Sequence, residues 1–155
     1  MDIRRRLTRI AVNQHGLVTA DQARTAGLSN QQIRWLTRSG EWKAARLGVY
    51  ARVGLPATWV QTVGVAVLAA GPEAWASHAT AAALWAMPAV ESPRIDVVTP
   101  PGRKVGLKGM KGHRSSALFT EDLTMHHRIA LTTPERTLVD LSARTVSGST
   151  WRIPI

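Results

Sequence analysis

Four polar side chains recur at helical spacing in the segment that begins at residue 30, and they are of kinds that hydrogen-bond to nucleic acid. A helix that turns 100° per residue places all four within about one quadrant of its surface: Asn30, Gln31, Arg34 and Arg38. Asn and Gln amides suit adenine, whereas Arg suits guanine or phosphate. The pattern predicts a helix face that contacts DNA, but a polar face is also the ordinary state of a surface helix.

The elements that would position this face can be predicted from capping signals. Thr19 with Gln22, and Ser29 with Gln32, both match the Ser/Thr-x-x-Glu/Gln capping box, which marks a helix start. Gly27 lies between the two boxes, where a positive φ would end one helix and let the next leave at a steep angle. Ile33 and Leu36 lie roughly opposite the polar face and can anchor it. The segment therefore predicts a helix-turn-helix.

A first helix should precede this motif, and a hairpin should follow it. Asp2 can cap an amphipathic helix that carries four arginines and ends before Gly16. After Gly40, "EWKAARLGVYARV" alternates like a hairpin that reverses at Gly48. The expected inward positions of the hairpin are Trp42, Leu47, Val49, Ala51 and Val53. A basic hairpin after a helix-turn-helix is typical of a winged domain, whose wing here carries Lys43, Arg46 and Arg52.

Composition favours a polyanionic partner. The 155 residues include 20 Lys and Arg against 10 Asp and Glu, which gives a net charge of +10. Residues 1–54 hold ten of the basic side chains and only three of the acidic ones, so the N-terminal segment is the better candidate for touching phosphates. The chain has no cysteine, which excludes disulfides and thiolate metal sites. Its apolar runs are shorter than a membrane span of roughly 20 residues, and we expect a cytoplasmic protein with no membrane partner.

The remaining residues predict a small second domain. "TWVQTVGVAVLAAGP" and "WASHATAAALWAMP" suggest buried helices, and "RIDVVTP" suggests a strand. "PGRKVGLKGMKGHRS" is expected to form a basic loop or two loose strands that could lie against phosphate, or simply a solvated loop. "LTTPERTLVDLSA" predicts a helix capped by Thr133, with an Arg136–Asp140 pair and with Leu138, Val139 and Leu141 facing inward.

Catalytic patterns are weak throughout. The five histidines are not spaced like metal ligands, and the Walker A, Gly-x-Ser-x-Gly and Gly-x-Gly-x-x-Gly patterns are missing. Asp96 followed by Lys104 could suggest a metal-dependent nuclease, but no second carboxylate follows next to a lysine. We interpret Ser77 and His78 as a helix cap beside a buried, satisfied histidine. The sequence thus predicts no enzyme, no metal and no cofactor.

Several segments in their order along the chain carry a family resemblance. "HGLVTADQARTAGLSNQQIRWLTRSGEWKAARLGVYA", "SHATAAALWAM", "IDVVTPPGRK", "HRSS" and "LTTPERTLVDLSA" resemble the AbiEi family of type IV antitoxins, in its actinobacterial winged helix-turn-helix form. "RLGVY" and "TTPERTLVDL" are the most specific parts. The resemblance covers about residues 7–145. Many relatives continue further, whereas this sequence ends in "SGSTWRIPI". The sequence therefore resembles a form of the family that is truncated at the C-terminus.

The resemblance implies a repressor of its own operon, whose second domain acts against a genetic partner, a nucleotidyltransferase toxin. The implied operator consists of repeats upstream of its own gene, and a monomer could bind them cooperatively. Carried over by position, the recognition residues are Asn30, Gln31, Arg34, Trp35 and Arg38, with Lys43 and Arg46 on the wing.

The sequence as a whole predicts an α+β protein: an N-terminal winged helix-turn-helix (residues 1–54), a small α/β C-terminal domain (55–145) and an irregular tail (146–155). The expected function is sequence-specific binding of double-stranded DNA, as an antitoxin repressor or as a stand-alone or prophage-borne repressor. A protein-interaction module and a degenerate nuclease are the alternatives from other classes. The predicted DNA-binding residues are Arg5, Ser29, Asn30, Gln31, Arg34, Trp35, Arg38, Lys43, Arg46, Arg103, Lys104, Lys108, Lys111 and Arg114.

Overall fold

A computed structural model of the chain describes residues 2–88, 94–103 and 106–146. The chain divides into two compact units, Met1–Ala69 and Ala70–Ile155. Both units combine helices with a sheet, which confirms the predicted α+β class. The expected irregular tail, apart from Val146 at the end of the last helix, lies outside the described residues.

The first unit has the element order of a winged helix-turn-helix. Its elements are α1 (Ile3–Val12), β1 (Leu17–Thr19), α2 (Ala20–Thr25), α3 (Asn30–Arg38), β2 (Trp42–Arg46), β3 (Val49–Arg52) and α4 (Trp59–Ala70). The strands form an antiparallel sheet in the order β1-β3-β2. Strand β1, which pairs Leu17 with Ala51, was not expected from the sequence.

The predicted helix starts are confirmed. Both capping boxes are complete. The Thr19 hydroxyl accepts from the Gln22 backbone N–H, and the Ser29 hydroxyl accepts from that of Gln32. In return, the side-chain oxygen of each glutamine accepts from the backbone N–H of its cap residue. The Asp2 carboxylate likewise accepts from the Arg4 N–H at the start of α1. These local bonds satisfy backbone donors that a helix start otherwise leaves open.

Two apolar clusters hold the first unit together. In the larger one, Ile33 and Leu36 of α3 pack among residues of α1, α2 and the sheet, including Leu7, Ala23 and Trp42. The smaller cluster consists of Leu17, Val49 and Ala51 in the sheet, with Val65, Leu68 and Ala69 of α4 packed against it. Because α4 closes this side of the sheet, the compact unit extends to Ala69 rather than to the expected boundary at residue 54.

Two of the five predicted inward positions of the hairpin are wrong. Trp42, Val49 and Ala51 are buried, but Leu47 and Val53 are exposed. A bulge between Ala44 and Arg46 interrupts the alternation of β2, and Leu47 falls in the turn itself. Val53 lies beyond the end of β3.

The second unit is a mixed sheet with two helices that pack against each other. Its elements are β4 (Trp75–Ala76), α5 (His78–Leu84), β5 (Ile95–Thr99), β6 (Met110–Arg114), a 3-10 turn (Thr120–Asp122), β7 (Leu123–His126), β8 (Ile129–Thr132) and α6 (Pro134–Val146). The strand order is β6-β5-β4-β8-β7. Pairs β5-β6 and β4-β8 are parallel, and the others are antiparallel. The basic segment therefore contributes one regular strand, β6, to the sheet.

Helix α6 is capped by Thr133 as predicted, but its inward face differs from the prediction. Thr137, Asp140 and Leu141 are buried, whereas Leu138 and Val139 are 58% and 62% exposed. Asp140 and Leu141 follow Thr137 by three and four residues, so the buried three share one stripe of the helix. Leu138 and Val139 lie about 100° and 200° around the helix from Thr137 and point away from that stripe. No helix of the described residues is long and apolar enough to span a bilayer.

Candidate nucleic-acid interface

The outer face of α3 is open to solvent. Asn30, Gln31, Arg34 and Arg38 are all exposed, while Ile33 and Leu36 are buried behind them. The structure thus places the four predicted base-contacting side chains on one accessible surface. We call this surface the α3 face.

Asn30 at the start of the α3 face has a partner on α2. Its side-chain oxygen accepts a hydrogen bond of 3.0 Å from Arg24 Nε, and Arg24 Nη1 also pairs with Asp21. This bond orients the Asn30 amide and occupies one lone pair of its oxygen, which leaves the second lone pair and the two N–H donors for a base. Sequence reasoning missed Arg24, because a contact between residues six apart across a turn has no periodic signal.

Trp35 adds an aromatic ring beside the α3 face. The ring is 51% exposed, and the Arg4 guanidinium lies over it at 5.8 Å from the centroid. Arg4 Nη2 also reaches Glu41 Oε1 at 3.7 Å. Arg4 is therefore an α1 cation that lies next to α3. Arg5 is exposed as well, but it is turned about 100° further around the helix.

The β2-β3 hairpin, which we call the wing, carries basic side chains on both strands. Lys43 and Arg52 are exposed, and Arg46 is half-buried. The turn consists of Leu47 and Gly48, and Gly48 takes a positive φ of 77°. The Gly48 carbonyl accepts a 2.8 Å hydrogen bond from the N–H of Ala20, the first residue of α2. The wing turn is thereby tied to the helix-turn-helix.

The basic segment of the second unit is partly engaged in internal contacts. Arg103 Nη2 forms an ion pair of 2.8 Å with Glu73, and the Arg103 carbonyl accepts from Arg114 Nε. Lys108, Lys111 and Arg114 are exposed. Lys104, also predicted to contact DNA, lies outside the described residues.

A compact polar cluster surrounds Asp96 in the same unit. Asp96 is fully buried, and His113 Nε2 lies 2.8 Å from its carboxylate. The His78 ring stacks on His113 with centroids 3.6 Å apart, and His78 Nδ1 lies 2.9 Å from the Ser77 hydroxyl. Ser77 is the N-cap residue of α5, but its side chain makes this contact in place of a capping bond. Among the described residues no group of three or more His, Asp or Glu is arranged to hold a metal ion.

These features define the class of the first unit. Three helices, a three-stranded sheet with a basic wing, and a capped third helix with an exposed Gln/Arg face are the parts of a winged helix-turn-helix. Proteins of this class insert the third helix into the DNA major groove.

Sequence comparison finds a family that is similar to most of this unit. Residues 5–53 match the family described as "Transcriptional regulator, AbiEi antitoxin". The resemblance drawn from the sequence motifs is therefore confirmed over residues 5–53, which are similar to this family of regulators. No curated protein matches the chain.

The fold as a whole is similar to a solved structure. The chain aligns with the crystal structure of the RV2827C protein from Mycobacterium tuberculosis, with a TM-score of 0.54 and 17% sequence identity. The alignment covers 96% of this chain and 63% of that protein. This likeness supports the fold of both units. The chain spans less than two thirds of the other protein's length.

Proposed function

We propose that the protein is a transcriptional repressor that binds double-stranded DNA sequence-specifically through the α3 face. The observation that carries this proposal is the division of α3 into a buried apolar side and an exposed polar side. The family match over residues 5–53 supports a DNA-binding regulator role independently of that geometry.

In this proposal α3 lies in the major groove. The guanidinium groups of Arg34 and Arg38 donate to guanine or to a flanking phosphate, and Gln31 pairs with adenine. Asn30 contributes through its amide, which the hydrogen bond from Arg24 Nε to its oxygen holds in one orientation. These contacts supply the sequence preference.

The wing and α1 supply affinity. Lys43, Arg46 and Arg52 lie along the hairpin, and Arg4 and Arg5 lie on the first helix. Contacts of these cations with phosphates release counterions and make binding fall steeply with salt. In the second unit, further candidates for phosphate contacts are Lys108, Lys111 and Arg114. Arg103 could bind a phosphate only after breaking its ion pair with Glu73.

We also propose that the regulator controls its own gene as the antitoxin of a toxin-antitoxin pair, with a nucleotidyltransferase as the toxin. The description of the matching family supports this role. A repressor without a toxin would have the same α3 face. A nucleotidyltransferase gene immediately downstream would favour the antitoxin.

Footprinting on the DNA upstream of the protein's own gene tests the proposal, with binding to random duplex measured in parallel over a range of salt concentrations. We expect a protected site, a preference of at least about 10³-fold over random DNA, and a steep salt dependence. Equal binding to both DNAs, or binding indifferent to salt, would favour a protein-interaction module instead. Cleavage of the DNA in Mg²⁺ or Mn²⁺ would favour the nuclease alternative.

A further inference from the structure

Leu47 occupies an unusual position at the tip of the wing. Its side chain is 100% exposed, and it belongs to neither apolar cluster of the first unit. The turn requires a residue with positive φ only at Gly48. Folding therefore does not require a large apolar side chain at position 47, and a polar residue would serve the turn equally well.

An isolated exposed leucine is common on protein surfaces, but Leu47 lies in a distinctly basic setting. Arg46 directly precedes Leu47, and the exposed cations Lys43 and Arg52 lie on the two strands behind it. The tip thus combines one projecting apolar side chain with positive charge at its base. Minor-groove binders combine basic residues with apolar wedges of this kind.

The tip is also held in place relative to the α3 face. The bond from Ala20 N–H to the Gly48 carbonyl connects the wing turn to the start of α2, and α2 packs with α3 through the shared apolar cluster. The side chain that projects from the turn is consequently presented at a fixed distance from α3, and not on a long flexible loop.

We propose that Leu47 is an apolar wedge that enters the minor groove beside the major-groove site of α3 and partly unstacks one base step. This inference rests on the proposed DNA-binding function and adds an indirect source of specificity to it. Pyrimidine–purine steps unstack most easily, so the preferred sites should carry a TA or CA/TG step where the wing lies. The DNA should bend at that step.

The test uses the full-length protein and the best duplex that it selects from a randomised library, labelled at its ends for energy transfer. Leu47→Ala should lower affinity about tenfold, the order expected for losing one buried leucine side chain, and should reduce the bend. The salt dependence should stay unchanged because no charge is removed. Leu47→Phe should retain both the affinity and the bend.

Val12→Ala is the matched control, because Val12 is also an exposed aliphatic residue of the first unit, 59% exposed on α1. It should leave affinity and bending unchanged, and the thermal midpoints of both alanine variants should equal that of the wild type. Failure of the wild type to select any sequence would overturn the proposed function itself.

Three results would overturn the wedge alone while the wild type still binds specifically. One is a Leu47→Ala variant that matches Val12→Ala in affinity and bending. Another is wild-type DNA that stays straight. The third is a loss of self-association by Leu47→Ala with bending intact, which would show that the tip contacts a second protein copy.

Discussion

The guanidinium of Arg4 lies over the exposed ring of Trp35, at 5.8 Å from the ring centroid, so the first helix is connected to the proposed recognition helix by a cation–π contact. Arg4 also reaches Glu41, between α3 and β2. Arg4 therefore contacts Trp35 within the last turn of α3 and Glu41 just after the helix ends. The contact orients Trp35 and keeps a positive charge close to the α3 face.

This geometry predicts that Arg4 matters more for DNA binding than its neighbour Arg5. Arg4→Ala removes a proposed phosphate-binding cation together with a cation–π contact of about 0.5–1 kcal/mol that holds Trp35 beside the α3 face, whereas Arg5→Ala removes only a proposed phosphate-binding cation. We expect Arg4→Ala to weaken binding to the selected duplex several-fold more than Arg5→Ala, in a titration at one salt concentration. An equal or larger loss for Arg5→Ala would contradict the assignment of Arg4.

Arg34 should determine sequence preference. It is exposed near the middle of the α3 face, and it follows the buried Ile33 that anchors the helix. Arg34→Ala should cost about 1–3 kcal/mol on the selected duplex and much less on random DNA. Lys108→Ala, which removes an exposed cation of the second unit, should weaken binding to both duplexes alike. Equal losses on both DNAs for the two variants would refute this division between base and phosphate contacts.

Position 16, in the turn after α1, should tolerate only glycine without strain. Gly16 has a φ of +80°, and a Cβ there would lie 2.3 Å from the Leu55 side chain. The end of a leucine side chain can move, so the backbone strain, about 1–2 kcal/mol, should be the larger cost of Gly16→Ala. Gly40→Ala is the control, because Gly40 has a φ of +79° with nothing within 4 Å of the added atom. Chemical denaturation should show both variants destabilised, and Gly16→Ala more so; the reverse order would contradict the steric account.

The features that sequence analysis predicted best are those that local residues determine. Both capping boxes, the turn at Gly27 and the burial of Ile33 and Leu36 follow from side chains within a few positions of one another. A cap needs only its own helix start to form. The α3 face could therefore be located before any tertiary contact was known.

The features that it missed depend on contacts between distant segments. Strand β1 has three residues and exists through its pairing with β3, some 30 positions along the chain. The bulge between Ala44 and Arg46 changed which hairpin residues face inward, and no composition signal marks it. Periodicity also could not select Arg4 from the four arginines of α1, because the choice depends on where Trp35 lies.

Removing the cation of the Arg136 network should destabilise the second unit. Arg136 Nε pairs with Asp140 at 2.9 Å, as its i, i+4 spacing predicts, and Nη1 pairs with Asp122 at 2.8 Å. Burial by itself would lower the pKa of Arg136, but its hydrogen bonds and charge interactions with Asp140 and Asp122 outweigh that effect and raise the pKa. The guanidinium thus stays charged at any pH at which the protein is handled.

Arg136→Met keeps much of the side-chain volume but deprives the carboxylates of the buried Asp140 and the partly buried Asp122 of their cation. The expected loss in the free energy of unfolding is about 3 kcal/mol, at the lower end for a broken buried pair because Asp122 is still partly exposed. Glu135→Gln, an exposed change in the first turn of the same helix, should cost less than about 0.5 kcal/mol. Because two units need not unfold together, denaturation should be followed by a residue-resolved probe within the second unit, such as the NMR signal of the Trp85 indole N–H that donates to the Thr132 carbonyl. A Trp85-monitored transition as stable in Arg136→Met as in Glu135→Gln would show that the network contributes nothing measurable.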